Sequence, residues 1–500
     1  MTDNIPTSSA TATRGIVFNE PVVFELGSPG RIAYSLPNLD VPDIEVERLL
    51  PLGEIREEID NFPELSELDV VRHFTRLSQW NFSIDTNFYP LGSCTMKYNP
   101  KINDQLSRLP RFAQHHPYAP EKVSQGCLQL LHELQELLKE ISGMDHVSLQ
   151  PAAGAHGELA GMLMIHAYHS KRGDQRKKVL LPDSAHGTNP ASSALCGYDV
   201  LHIPSDNEGL IDIVALSRLM DEQTAAIMLT NPNTLGKFEK NILEITNIVH
   251  QKGGLVYCDG ANLNALMGIT KMNDMGIDVL HFNLHKTFST PHGGGGPGAG
   301  PVGVHKKLEP FLPLPLVERA QNGYHLNYDR PRSIGKMKAF YGNFGILLRA
   351  YCYIRTMGGK GLRKASQSAV LNANYIQAEL KDIYHQKFPG PCLHECVFDD
   401  KHLNEFGVKT LDVAKALIDR GYHPPTVYFP LIVKGALMIE PTETESKETI
   451  DQFIEAMKDI TLQAKTNPDA FRQAPQKPKV CRLDETLAAR NPYLRWKPLG

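Results

Sequence analysis

The sequence is short of cysteine, of net basic charge and of long apolar runs. Eight cysteines scattered over 500 residues are too few for a disulfide scaffold of this size. Cys392 and Cys396 bracket His394 in a C-x-H-x-C spacing. No second cysteine or histidine pair follows at matching spacing, so no zinc, and no other metal, is expected. Basic residues (52) are outnumbered by acidic ones (56) and dispersed, which argues against nucleic acid or an anionic membrane as partner. No run approaches the roughly 18 apolar residues of a membrane span. The opening, Met1 to Arg14, is rich in Ser and Thr and lacks the apolar core of a secretion signal. Asp3 and the scarcity of arginine there argue against a mitochondrial presequence, so a cytoplasmic protein is expected. Internal repeats are absent too.

What is there describes an ordinary globular chain, 41% hydrophobic and 22% charged, long enough for more than one domain and a large core. Residues 1–85 carry many prolines and short apolar runs and are expected to form an extended N-terminal arm. Short helices are predicted there around Glu47 to Asp60 and Asp69 to Gln79. The stretch Tyr89 to Pro100 is dense in turn formers yet carries Ser93, Cys94, Thr95 and Lys97; it is either a structural loop or part of a site. Leu128, Leu131, Leu134, Leu138 and Ile141 recur at spacings of three and four before Gly143, predicting one amphipathic helix.

Beyond it, short apolar runs (147–149, 179–181, 200–203, 225–229, 255–257, 279–284) alternate with helical patterns. That alternation predicts an α/β domain over 86–344 with a mostly parallel sheet covered on both faces. Residues 345–474 change texture. Helices are predicted at Phe344–Met357, Gly361–Lys381, Leu411–Arg420 and Ser446–Thr461, with strands at His394–Phe398 and Leu431–Met438, a smaller α+β domain. Residues 475–500 read as a C-terminal tail.

Sites in parallel sheets lie beyond the carboxyl ends of the strands, and five features fall there. Ala153, Gly154 and Ala155 open a helix whose small residues let backbone N–H groups approach an anion. His186 stands at the next strand mouth, placed to lie on a ring. Asn231 is the first polar group after Leu229 and Thr230, placed to donate to a phenolate-like oxygen. Asp259, followed by Gly260 and Ala261, ends an apolar strand and needs a partner, because a buried unpaired carboxylate is costly. Lys286 comes 27 positions later, an interval that fits one helix and one strand, with His285 beside it and a glycine run, Gly293 to Gly300, beyond.

Singly each is ordinary; together they are the groups that hold pyridoxal phosphate. The cradle takes the phosphate, His186 the pyridine face and Asn231 the ring hydroxyl. Asp259 keeps the ring nitrogen protonated, and Lys286 forms the Schiff base.

Four stretches go further: Pro90-Leu-Gly-Ser-Cys-Thr-Met-Lys97, Ser184-Ala-His-Gly-Thr-Asn-Pro-Ala-Ser192, Asp259-Gly-Ala-Asn-Leu-Asn264 and Leu284-His-Lys-Thr-Phe288 with its glycine-rich sequel. From about residue 15 onward the chain resembles the decarboxylating glycine dehydrogenases, the P-proteins of the glycine cleavage system. The resemblance implies the aspartate-aminotransferase-like fold, type I among pyridoxal-phosphate enzymes, and the lysine-bearing second subunit. It implies glycine as substrate, a lipoylated H-protein as acceptor of the aminomethyl group, and a lysine-less first subunit, two copies of each. His285 would stack or shuttle a proton; Ala261 joins the cofactor-binding set. Gly293–Gly300 would close over a lipoyl arm or reach a cofactor phosphate across an interface. The competing expectations are another fold type I enzyme, an aminotransferase or amino-acid decarboxylase, and a non-catalytic scaffold subunit.

Overall fold

The computed structural model describes residues 20–56, 59, 61–293 and 298–496. Residues 84–472 form one compact unit, and the rest of the described chain, 20–83 with 473–496, forms another.

The larger unit is built on a seven-stranded sheet. Its strands are β1 (His146–Ser148), β2 (Lys178–Pro182), β3 (Asp199–Ile203), β4 (Thr224–Thr230), β5 (Leu255–Gly260), β6 (Val279–Phe282) and β7 (Val302–Val304), in the order β1-β7-β6-β5-β4-β2-β3. β2 to β6 pair in parallel, whereas β7 runs antiparallel to both β6 and β1. Alternate residues enter two cores. Leu180, Ile227, Leu229, Val256, Cys258 and Leu280 face one layer, and Val179, Leu181, Ala226, Met228, Tyr257 and Val279 the other. This is the two-sided burial that a period of two produces in a covered parallel sheet.

Helices fill the crossovers: α1 (Glu121–Ser142), α2 (Gly154–Lys171), α3 (Thr188–Leu195), α4 (Ile213–Leu219), α5 (Ile242–Gln251) and the single turn α6 (Leu284–Thr287). α1 buries the expected leucine stripe and stops at Gly143, whose φ of 74° is the left-handed cap that glycine supplies without steric cost. The interval between Asp259 and Lys286 holds a single 3-10 turn, Asn273–Met275, before β6, so no full helix fits there. A hairpin, β8 (Leu316–Ala320) with β9 (Gly323–Asn327), lies beyond β7. Lacking a long apolar run, it left no strand signal.

The helices predicted at 344–357 and 361–381 are one element, α7 (Phe344–Leu380), interrupted at Gly358 (φ 60°, ψ 176°). The remainder is α+β. β10 (Cys396–Asp399), β11 (Thr426–Val427) and β12 (Ala436–Ile439) form an antiparallel sheet in the order β10-β12-β11. α8 (Thr410–Asp419) and α9 (Lys447–Thr466) pack on it with the end of α7 around Phe398, Leu437, Ile439, Phe453 and Met457.

In the smaller unit, Glu67–Ser78 is a helix whose Ser66 and Asp69 form a capping box. Its Arg76 and His73 converge on the buried Glu20, at 2.5 and 2.9 Å. The helix predicted around 47–60 is replaced by two 3-10 turns, Val46–Arg48 and Leu52–Glu54. Pro51 interrupts the backbone bonding between them, and positions 57, 58 and 60 lie outside the described residues. The tail contains one short helix, Glu485–Arg490, capped by Asp484. Among the described residues, no helix is long and apolar enough to cross a membrane.

Candidate active site

A cavity of about 320 Å³ opens at the carboxyl ends of the parallel strands. Its walls include Ala153, Gly154, Ala155, His186, Asp259, Ala261, His285 and Lys286, all expected from the sequence. Lys286 sits on α6 directly after β6. The Asn283 carbonyl accepts the amides of Lys286 and Thr287, both at 3.1 Å, and starts the turn. The Lys286 ammonium donates to the Ser93 carbonyl at 2.6 Å. Ser93 therefore belongs to the site, held at φ 65°, a backbone region that non-glycine residues rarely occupy.

Asp259 ends β5 and is buried. It accepts from Asn189 Nδ2 at 3.1 Å and from the Ala261 amide at 2.9 Å. Parallel pairing sets it against His281, whose Nε2 is 3.4 Å away, and His281 Nδ1 is 2.6 Å from the Tyr257 hydroxyl. Burial alone would raise the Asp259 carboxyl. His281 and the two hydrogen bonds outweigh it and hold the group below the ordinary carboxylate range, ionised.

Glu158, one turn into α2 and almost fully buried, behaves in the opposite way. Burial, then the neighbouring Asp259 charge, push it up to about 7. It accepts from Thr188 Oγ1 at 2.8 Å and from Asn189 Nδ2 at 3.0 Å. Asn189 thus bridges the two carboxyls. His186 stands at the open rim with Nδ1 2.9 Å from Thr188 Oγ1 and its ring edge-on to Phe429.

The cradle has the form an anion site requires. Ala153 caps α2, whose first amides have no partner within the helix. Gly154 lies so close to Asn283 that a Cβ would meet Asn283 Oδ1 at 2.5 Å, and that buried oxygen has no hydrogen-bond partner among the described residues. An open helix start, an ionised carboxylate and a lysine around one cavity fit pyridoxal phosphate.

His285 is buried, its ring 5.0 Å from that of His292. Burial, then His292 and Lys286, lower it to about 3, so it is a neutral ring. Asn231 does not line the cavity. Its Oδ1 accepts the Glu239 amide at 2.9 Å and its Nδ2 faces Met275 Sδ at 3.9 Å, so it starts the turn after β4. The wall there is made by Thr230, Pro232, Asn233 and Thr234. The cysteines around His394 form no cluster with it: His394 Nε2 lies 3.8 Å from Glu395 Oε1, and both residues line the cavity. Part of the glycine run, residues 294–297, lies outside the described residues.

The Pro90–Lys97 loop divides between the two expected roles. Ser93 lines the cavity, whereas Lys97 is a buried strut. Its ammonium donates to Asn264 Oδ1 and the Thr287 carbonyl, both at 2.9 Å, and to Glu443 Oε1 at 2.8 Å. Glu158, Asn189, His281 and Glu395 escaped the sequence reading. The signal was clearest for His281, a polar residue within the apolar strand Val279–Phe282.

Comparison with known proteins decides the family. A model described as glycine cleavage system P-protein matches residues 45–326, and one described as glycine dehydrogenase, C-terminal domain, matches 365–478. A protein of Caldanaerobacter subterraneus subsp. tengcongensis named probable glycine dehydrogenase (decarboxylating) subunit 2 is 57% identical over 476 residues, 95% of this chain and 98% of that protein. The chain belongs to the glycine cleavage system P-protein family. A protein of the same name from Bacillus cytotoxicus is 55% identical over 96% of this chain and 98% of its own length. Among solved structures, an inhibitor-bound glycine decarboxylase (P-protein) superposes with a TM-score of 0.72 at 23% identity, covering 83% of this chain and 94% of that one. A NifS-like protein superposes with a TM-score of 0.60 at 15% identity, covering 75% of this chain and 99% of that one. The fold of this P-protein family member is accordingly that of the fold type I pyridoxal-phosphate enzymes.

Proposed function

We propose that this chain is the lysine-bearing subunit of a decarboxylating glycine dehydrogenase, holding pyridoxal phosphate on Lys286 and passing the aminomethyl group of glycine to a lipoylated carrier protein. The observation that carries this reading is the convergence of Lys286, the ionised Asp259 and the open start of α2 on one cavity. The bound cofactor would supply a carbonyl to capture the glycine amine and a ring to take up the electron pair left behind by CO2.

The chain's residues do the rest. Lys286 would hold the cofactor through its primary amine, a group that can also carry a proton. Asp259, oriented by His281 and the Ala261 amide, keeps a proton on the ring nitrogen; such a charge-assisted bond is worth about 1.5–3 kcal/mol. Glu158, protonated more readily, spares the site a second full negative charge. The start of α2 would hold the phosphate end, and His186 at the rim would flank the ring. His285, neutral and buried, packs as a ring and holds no charge near Lys286. Among the described residues no arginine lines the cavity, the residue that an aminotransferase usually needs for a second carboxylate.

The reading includes a lysine-less partner subunit, two copies of each chain, and a cytoplasmic setting, supported by the bacterial relatives named subunit 2. Borohydride reduction of the cofactor-loaded chain followed by peptide mapping should label Lys286, and glycine should exchange its carboxyl carbon with CO2 only when lipoyl carrier is present. Keto-acid formation from glycine, or an unlabelled Lys286, would refute the assignment.

A further inference from the structure

A second pair of buried carboxyls, outside the expected set, meets the same cavity from the α+β portion. β10 and β12 pair Cys396 with Ile439. One step further along that ladder come Glu395 and Glu440, which are 3% and 0% exposed. One side-chain atom of each, together with one of His394, lies within 4.8 Å of the others. Like charges directly opposite on a ladder destabilise it, and burial makes a double charge costlier still.

Their hydrogen bonds divide them. Glu440 Oε1 accepts from Thr95 Oγ1 at 2.7 Å, Asn262 Nδ2 at 2.8 Å and, more loosely, Asn264 Nδ2 at 3.5 Å. Among the described residues, Glu395 accepts from the Ser93 amide alone, at 2.9 Å. Neither forms an ion pair with lysine or arginine among the described residues: Lys97 is spent on Glu443, and Lys286 donates to the Ser93 carbonyl. Donors stabilise the ion, so of the two Glu440 loses its proton first, raised only to about 7, and Glu395, the one that lines the cavity, retains its own. Burial and the neighbouring Glu440 raise Glu395 well above the ordinary range in agreement with this assignment.

We propose that Glu395 is the general acid of the transfer step, giving its proton to the sulfur expelled from a disulfide co-substrate. This rests on the functional reading above. Glycine enters as the zwitterion and loses CO2, and the electron pair left on its α-carbon forms a C–S bond. The S–S bond breaks, its electron pair goes to the leaving sulfur, and Glu395 protonates that thiolate. The proton that glycine sheds from its ammonium group restores Glu395. Carbon is oxidised, disulfide is reduced, and no net proton is consumed.

The test uses the chain with its partner subunit, cofactor and lipoylated carrier, comparing wild type with Glu395→Gln and Glu395→Asp. Glutamine reproduces a neutral carboxyl's shape without its acidity. The E395Q variant should keep the glycine-induced change in cofactor absorbance while aminomethyl transfer falls on the order of 10²–10⁴-fold, and E395D should recover part of it. Wild-type transfer should decline as pH rises through the acid's titration, a limb that E395Q lacks. The titratable groups around it are Glu440, His394, Lys286, Cys392 and Cys396. In the wild type a solvent deuterium effect should appear on transfer and not on the glycine-induced absorbance change, a readout independent of any variant's folding. Transfer by E395Q within threefold of wild type, or loss of the absorbance change together with transfer, overturns the acid role. Absence of any glycine-induced change in the wild type would instead overturn the glycine reading, and this one with it.

Discussion

Lys97→Met tests whether the loop before the sheet is held by a buried charge. The Lys97 ammonium is fully buried and makes three hydrogen bonds, to Asn264, Thr287 and Glu443. Burial would lower it, but Glu443 outweighs that and holds it above the ordinary lysine range. Methionine fills much of the same volume, so the loss is mainly electrostatic. It strands the Glu443 carboxylate, whose side chain is 9% exposed, together with two neutral acceptors. Breaking a buried pair from one side costs about 3–5 kcal/mol. A cooperative unit of this size unfolds with an entropy near ~0.8 kcal/mol/K, so the melting temperature should fall by roughly 5 °C. Adding Glu443→Gln removes the stranded charge. The double variant should therefore be more stable than the sum of the single effects by about 1–3 kcal/mol. Urea and thermal unfolding of the four chains measure this. A loss below about 1 kcal/mol for K97M, or strict additivity in the cycle, would refute the strut.

Asp259→Asn should retain cofactor yet lower turnover about ten- to hundredfold, the equivalent of one charge-assisted bond; unchanged turnover at full cofactor occupancy would give the ring nitrogen another partner. Lys286→Ala should abolish the absorbance of covalently held cofactor while leaving the circular dichroism spectrum intact. Stability should also carry an unusual pH slope. Glu158 and Glu440 are raised from 4.5 to about 7, so between those values the folded chain holds protons that the unfolded chain releases. Each group's contribution to stability therefore falls as pH rises from about 4.5 through 7, by up to about 1.4 kcal/mol per pH unit, against the opposite slope of buried histidines such as His285 and His394, lowered to about 3. The stability of Glu158→Gln relative to wild type should increase as pH rises across that range, and a constant difference would count against the raised carboxyl.

The alternation of short β-branched runs with helical spacing is enough to predict the parallel strands, and the rule that sites gather at their carboxyl ends brings Asp259 and Lys286 together. Contributions from elsewhere in the chain are harder to read. Ser93 reaches Lys286 across 193 positions, and Glu395 enters from the residue just before β10, in a separate part of the chain. Asn231 shows the converse error. Position at a strand mouth does not fix where a side chain points, and its amide is taken by Glu239. β7 was invisible because three residues, Val302, Gly303 and Val304, make too short a run for periodicity.

The pairing of Asp259 with His281 has a consequence for how this chain tolerates change. The two residues belong to adjacent strands and are matched by ladder register alone. Inserting or deleting one residue within β6 would present Leu280 or Phe282 to the carboxylate and turn the imidazole to the opposite layer. Conservative substitutions in these strands test packing, whereas an indel of a single codon there would unseat the carboxylate's orienting partner while leaving every catalytic side chain in the sequence.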